Sequence, residues 1–423
     1  MRNSSLFVLF GSLVIVTFVP RCGDGTTDCT QTSTCPSDAS DGPPPLTCDT
    51  TKDPKDAPGC LDDRVGVFVD GALGKDANPG TKELPFQTIG KALTGVGALT
   101  RVYVCEGTYS EDITITPPVD GISIYGGFKC ADWTYSGNKP TVGKSQIALT
   151  INGTTKAIAI EDFLIKSADG TAGNASSIAA LVSGATAPIT FTRVNLTAGV
   201  GVAATDAAAG SNWTIASSSD PAIKGKDATG ASGGNLQTCA NLCTDTNTST
   251  GGTGGAGTTN PTDGQTGSPN LGGGAGGSHL VSCGAGGTGG NGNGATTGGA
   301  DATSPAALGT LASTGWTPGS AAAGKNGTPG QGGGGGAGQS QSNDGGGGGG
   351  ACGGCGGGGG GGGSGGGSSI ALAVVSSSVT VNASELHAGD AGNGGKGAAG
   401  QVGQTGGAHG NGSGFGCSGG NGG

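Results

Sequence analysis

The sequence predicts an all-β chain, a parallel β-helix whose coils are interrupted by long glycine-rich tracts. Three observations lead there. Short β-patterned runs separated by Gly, Asn, Asp and Pro recur between residues 101 and 196. Two of those runs align with each other over eight residues. With 98 Gly among 423 residues, 33% hydrophobic residues and 4% aromatics, one apolar core cannot extend through the whole chain.

At the N-terminus, Arg2 is followed by an apolar run from Leu6 to Val19, short for a bilayer span and of the length of a signal-peptide core. It stops at Pro20, Arg21 and Cys22, so residues 1–21 read as a signal peptide. Residues 22–64 are rich in Thr, Asp, Pro and Gly and lack apolar periodicity, which makes them an extended tether. Its cysteines Cys29, Cys35, Cys48 and Cys60 are expected to form local staples.

From Val65 the pattern changes. Val67, Phe68 and Val69 are β-like, Asn78–Gly80 is a turn, and Pro85 opens a helical segment with Phe86, Ile89, Leu93 and Val96 on one face. The β-like runs that follow are Arg101–Cys105, Ile113–Thr116, Ile122–Tyr125, Ile147–Ile151, Ala157–Ile165 and Ile189–Leu196. Strands this short suit a sandwich or a solenoid, and internal repetition selects the solenoid, where each coil buries its apolar residues by stacking on the next. Ile158 through Ile165 aligns with Ile189 through Leu196, and Ile215–Ser219 is similar to Val374–Ser378. The boundaries that result are a β-helix domain over 65–226, a glycine-rich insert over 227–369, a returning coil over 370–388 and a glycine-rich tail over 389–423.

Glycine loses the most conformational entropy on ordering, so the default expectation for these tracts is a solvated, mobile brush; the alternative is an ordered bundle of polyproline-II-like strands. On the first reading Leu271, Leu280, Leu308, Leu311 and Trp316 are isolated, and deleting 230–369 leaves the β-helix folded.

The stretch Val69, Asp70, Gly71, then Lys75 to Thr81 (KDANPGT), Pro85 to Ile89 (PFQTI), Ala92 and Leu93, with the sequel Val102 to Glu111 (VYVCEGTYSE), resembles the start of bacterial pectin-lyase-like β-helix proteins. The resemblance covers residues 65 to about 225 and implies a right-handed parallel β-helix whose open end is capped by the amphipathic helix. It implies little about activity, since one fold hosts many functions. The glycine tracts look like those of glycine-rich bacterial surface proteins. Cys22, directly after the apolar run and before Gly23, Asp24 and Gly25, resembles the lipidation site of a bacterial lipoprotein, although Pro20 and Arg21 stand where that family has small residues.

Thirteen cysteines point to an oxidising compartment, and setting Cys22 aside leaves twelve to pair. Cys105 and Cys130, about one coil apart, are expected to be joined. Cys239, Cys243, Cys352 and Cys355 have the local spacing of zinc ligands but read as disulfide cysteines in a secreted chain, so no metal and no cofactor are expected. His279, His387 and His409 lie in or beside glycine-rich sequence without a helical metal motif. Asp169, Asp206 and Asp227 are single acidic residues that match no calcium repeat.

A net charge of −10 without a basic stripe argues against nucleic acid. For an enzyme, the candidates are Glu161, Asp162 and Arg193 on the two aligned coils, in the manner of a polysaccharide lyase or hydrolase; ordinary solvated face residues are the competing reading. Trp133 and Trp213 are too few for a track of sugar-stacking rings. The expectation is thus a structural or interaction protein of the cell envelope, either an outer-membrane lipoprotein held by Cys22 or a secreted protein, with extracellular polysaccharide or matrix as its partner; the alternative is a polysaccharide lyase or hydrolase, or a carbohydrate-binding module, on the groove of the β-helix.

Overall fold

The computed structural model describes residues 46–240, 242–340 and 345–423. The predicted signal peptide, Cys22, Cys29 and Cys35 lie outside them. Cys48–Gly423 forms one unit.

Alternation of apolar and polar residues with period two sends one set of side chains inward on every strand. Three sheets result, all with parallel pairing. The longest contains Gly66–Val69, Arg101–Cys105, Ser123–Phe128, Ile158–Glu161, Ile189–Thr192 and Val379–Asn382. A five-stranded sheet contains Thr108–Tyr109, Thr141–Val142, Leu164–Lys166, Asn195–Thr197 and Glu385–His387. A four-stranded sheet contains Ile113–Ile115, Ile147–Asn152, Ser177–Ser183 and Ser369–Val375. From Arg101 onward the chain visits the long, five-stranded and four-stranded sheets in that rotation, as the path of a parallel β-helix requires.

The inner faces form one core. Ile124, Ile160 and Phe191 sit in register on three successive strands and are fully buried. Ile115, Leu149, Ile165 and Leu196 belong to the same cluster. Each such side chain contributes roughly 1.5–3 kcal/mol through the apolar area it removes from water.

The predicted similarity of Ile158–Ile165 to Ile189–Leu196 is realised residue for residue, since Ile158 pairs with Ile189 and Ile165 with Leu196. The second similarity is not: Val374 pairs with Val182, while Ile215 lies in no strand and packs beside Ile223, Cys239 and Cys352. The helix is Ile89–Gly95, begun by the Thr88 side chain, which accepts from the Lys91 N–H. Pro85 does not open it, because Phe86 is held extended by backbone hydrogen bonds to Phe68 and Asp70. Ile89, Ala92 and Leu93 are buried.

The glycine tracts are ordered. Along 332–339 the backbone N–H groups turn through three directions: Gly332, Gly335 and Gly338 donate to Ser268, Gln265 and Thr262; Gly333, Gly336 and Gln339 to Ala351, Gly348 and Gly345; Gly334 and Ala337 to Gly290 and Gly287. A repeat of three residues is that of the polyproline-II conformation. The carbonyls of the same strand accept from Gly252 and Gly255, from Gly420 and Cys417, and from Gly277, so it has six neighbours, and Gln331–Gly338 are buried throughout. Glycine is required because of this close approach. A methyl group on Gly335 would collide with the Thr253 carbonyl oxygen, and one on Gly336 with that of Cys417.

The mobile brush is therefore corrected to the ordered bundle: inter-strand hydrogen bonds in every direction offset the ordering entropy. Nor are Leu311 and Trp316 isolated. They belong to the hairpin of Gly309–Ala312 and Gly315–Pro318, which covers Ile147, Ile178, Leu181 and Ile370 on the outer face of the four-stranded sheet.

Candidate functional site

On the long sheet's outer face, in-register pairing stacks Phe68, Tyr103 and Tyr125, and the next strand places Glu161 beside Tyr125. The residue after each of three successive strands, Asp162, Arg193 and Ala383, takes the left-handed conformation, with φ of 58°, 56° and 46°. For non-glycine residues this costs on the order of 1 kcal/mol each, and at this corner it turns Asp162 and Arg193 toward one another.

The three residues singled out from the repeat are thus brought together. The Arg193 guanidinium donates to both oxygens of Asp162 (2.9 and 2.8 Å) and to Glu161 Oε2 (3.1 Å). It also pairs with Asp53 at 3.0 Å. Tyr135 donates to Asp162 Oδ1 at 3.0 Å. The Glu161 and Asp162 side chains retain 12% and 5% of their exposure, Asp53 and Arg193 22% and 23%, so the two sheet carboxyls are the better shielded members of the cluster.

Burial, reinforced by the hydrogen bond that the protonated Glu161 carboxyl donates to Asp53 and by the Asp53 charge, pushes the Glu161 carboxyl up to about 8. Burial acts on Asp53 in the same direction, but the hydrogen bond with Glu161 and the Arg193 charge hold it below the ordinary carboxylate range. Near neutrality the pair shares one proton, which resides on Glu161. Arg193 is raised further above its usual value, first by its hydrogen bonds with Asp162. A protonated carboxyl beside an ionised one is the equipment of general acid and base catalysis. Here, however, both carboxyls face Arg193 and a segment of the chain itself.

That segment corrects the reading of 22–64 as a tether throughout. The span 48–62 lies across the long sheet, closed by the Cys48–Cys60 disulfide. The Thr50 carbonyl accepts from Arg101 at 2.6 Å and the Cys60 carbonyl from Tyr103 at 2.7 Å. Leu61 packs with Phe68, Tyr103, Tyr125, Phe128 and Trp133. The sheet is richer in rings than the tryptophans alone suggest, but these rings form a second core under the strap. The sequence search missed Asp53 and Tyr135 because neither lies on an aligned coil; the only signal at Asp53 was a charge next to Pro54.

Of the other candidates, Cys105 is bonded to Cys130, Cys239 to Cys352, Cys243 to Cys355 and Cys283 to Cys417. Among the described residues one group has metal-ligand spacing, Asp70 with Cys105 and Cys130, and the disulfide takes up both sulfurs. Asp169, Asp206 and Asp227 each accept a backbone N–H from the adjoining layer, from Val200, Lys396 and Asn411. His279, His387 and His409 contact Asp263, Glu385 and Asn421 separately. No helix among the described residues is long and apolar enough to cross a membrane.

No curated protein and no solved structure gives a significant match. Residues 72–218, about a third of the chain, match the family described as "Protein of unknown function (DUF1565)", a family whose fold is a parallel β-helix of the pectin-lyase-like kind.

Proposed function

We propose that this chain is a structural or interaction protein of the bacterial cell envelope, displayed or secreted outside the cytoplasm. In this reading it is a right-handed β-helix capped by Ile89–Gly95, with the glycine bundle as a rigid extension along its side. One observation carries the proposal: the ten described cysteines are joined in five disulfides, and three of those bridges lie within the glycine bundle. Such bridges persist in oxidising compartments, and they serve to lock a scaffold. The acylated Cys22 anchor and a polysaccharide or matrix partner belong to the same proposal. Phase partitioning of wild type and Cys22→Ser tests the address: wild type should enter the detergent phase and the variant should not. Unchanged partitioning refutes the anchor.

The second reading is a polysaccharide lyase or hydrolase, favoured by the proton-sharing carboxyls Glu161 and Asp53. Against it, Arg193 and the strap occupy the space in which a substrate would meet them. A glycan array combined with reducing-sugar and unsaturated-uronate assays separates the two. Turnover lost in Glu161→Gln would establish the enzyme, while binding without turnover supports the scaffold.

A further inference from the structure

We infer that the strap is a pH-released cover. The ring closed by Cys48–Cys60 swings on Cys60 and Leu61, and its Asp53 end leaves the long sheet when the proton held between Asp53 and Glu161 is lost.

The strap is built to move as one body. Its own backbone bonds are local turns, from Lys52 to Asp49, Asp56 to Asp53, Ala57 to Pro54 and Cys60 to Ala57, and the disulfide ties its two ends to each other. Among the described residues no backbone-to-backbone hydrogen bond joins 48–60 to the sheet. The attachments differ from place to place. Near Cys60 the strap is seated by the hydrogen bond from Tyr103 and by Leu61, buried among the rings. From there it reaches past Arg101, Ser123–Phe128 and Ile158–Glu161 to the end of Ile189–Thr192. At that far end Asp53 meets Arg193 and Glu161.

This contact sets three carboxyls against one guanidinium. Glu161 faces Asp53 from the strap, Arg193 from the next coil, Asp162 beside it in the chain and Tyr125 from the preceding strand. Lys55, the strap's cation near Asp53, is paired with Asp56 at 2.7 Å. While Glu161 keeps its proton it donates to Asp53, and the strap is tied down. Once it ionises, that bond becomes a repulsion between two partly buried carboxylates, with one positive charge shared among three negative ones. Asp53 is the member free to leave. Asp162 is fixed by two bonds from Arg193 and one from Tyr135, and Glu161 lies in a strand paired on both sides. The closed state thus prefers the protonated carboxyl, which burial and Asp53 push up to about 8. Closure is complete at lower pH and is lost above that value by roughly tenfold per pH unit. Opening frees Arg101 from the Thr50 carbonyl and uncovers the Tyr125 ring that its guanidinium overlies at 5.1 Å.

The test is amide exchange followed by mass spectrometry on the full chain at about pH 6.5 and about pH 9, corrected for the intrinsic pH dependence of exchange. Peptides within 50–57 should exchange roughly tenfold faster at the higher pH, while Ser177–Ser183 in the core is unchanged. Glu161→Gln keeps a neutral donor in place and should hold the strap shut at both pH values. Asp53→Asn, whose amide can donate to ionised Glu161, should also remove the pH response. Three results would overturn the inference: equal protection of 50–57 at both pH values in wild type, a pH response that survives in Glu161→Gln, or equal loss of protection in Ser177–Ser183. The last would mean that the whole molecule loosens and no cover lifts.

Discussion

Replacing Gly335 with alanine distinguishes an ordered bundle from a brush by the sign of its effect. In a mobile tract, Gly→Ala reduces the freedom of the unfolded chain and is neutral or stabilising by about 0.4–1 kcal/mol. In the bundle, Gly335 donates to Gln265 at 2.8 Å and its carbonyl accepts from Gly277 at 2.8 Å, and a Cβ would collide with the Thr253 carbonyl. Relief of that clash displaces a strand with six neighbours. Overpacking of this kind costs about 1–3 kcal/mol, and each net hydrogen bond lost adds about 1 kcal/mol. After the entropic gain is subtracted, the variant is expected to lose about 1–3 kcal/mol, a fall of roughly 1–4 °C in melting temperature for a unit of this size. Gly298→Ala is the control, since no atom lies within 4 Å of its added methyl. Calorimetry of both variants, with amide exchange at Gly277 and Gly335, measures the difference. Equal melting temperatures for the two, or faster exchange in neither, would refute the lattice.

Three further outcomes follow from the same contacts. The folded-state value of Glu161, raised to about 8 from 4.5, means that stability from its retained proton is present in full below pH 4.5 and is lost as the pH rises to about 8; melts between pH 4 and 9 should show this decline and Glu161→Gln should flatten it. Removing the Cys105–Cys130 bridge, which closes 25 residues, with a double alanine variant should lower stability by about 3 kcal/mol in a urea titration. Deleting 230–369 is now expected to destabilise rather than to be neutral, because it strips Leu311 and Trp316 from Ile147, Ile178 and Ile370, removes two disulfides whole and takes Cys283 from Cys417; an unchanged far-ultraviolet melt of that deletion would contradict this.

What the sequence determined by itself was the coil. Alternation with period two places Ile158 and Ile160 on one side wherever the strand lies, and the match of Ile158–Ile165 to Ile189–Leu196 is long enough to set the register. The same alignment brought Glu161, Asp162 and Arg193 within reach of one another. Five residues were too few at Ile215–Ser219, where a short apolar pair followed by serines fits a strand end and a bundle strand equally well.

Tertiary structure alone decided the glycine tracts, the strap and the hairpin over the four-stranded sheet. A polyglycine segment carries no side-chain pattern, so its order depends on backbone partners supplied from tens to hundreds of residues away, such as Gly252, Gly290, Gln265 and Gly420 around 331–338. Asp53 acquires its role only because the chain crosses the sheet above Glu161, and Trp316 because its hairpin returns to Ile147 and Ile178. Local periodicity specifies which face of a strand is apolar; what covers that face is a long-range contact, and it is settled only when the whole chain has folded.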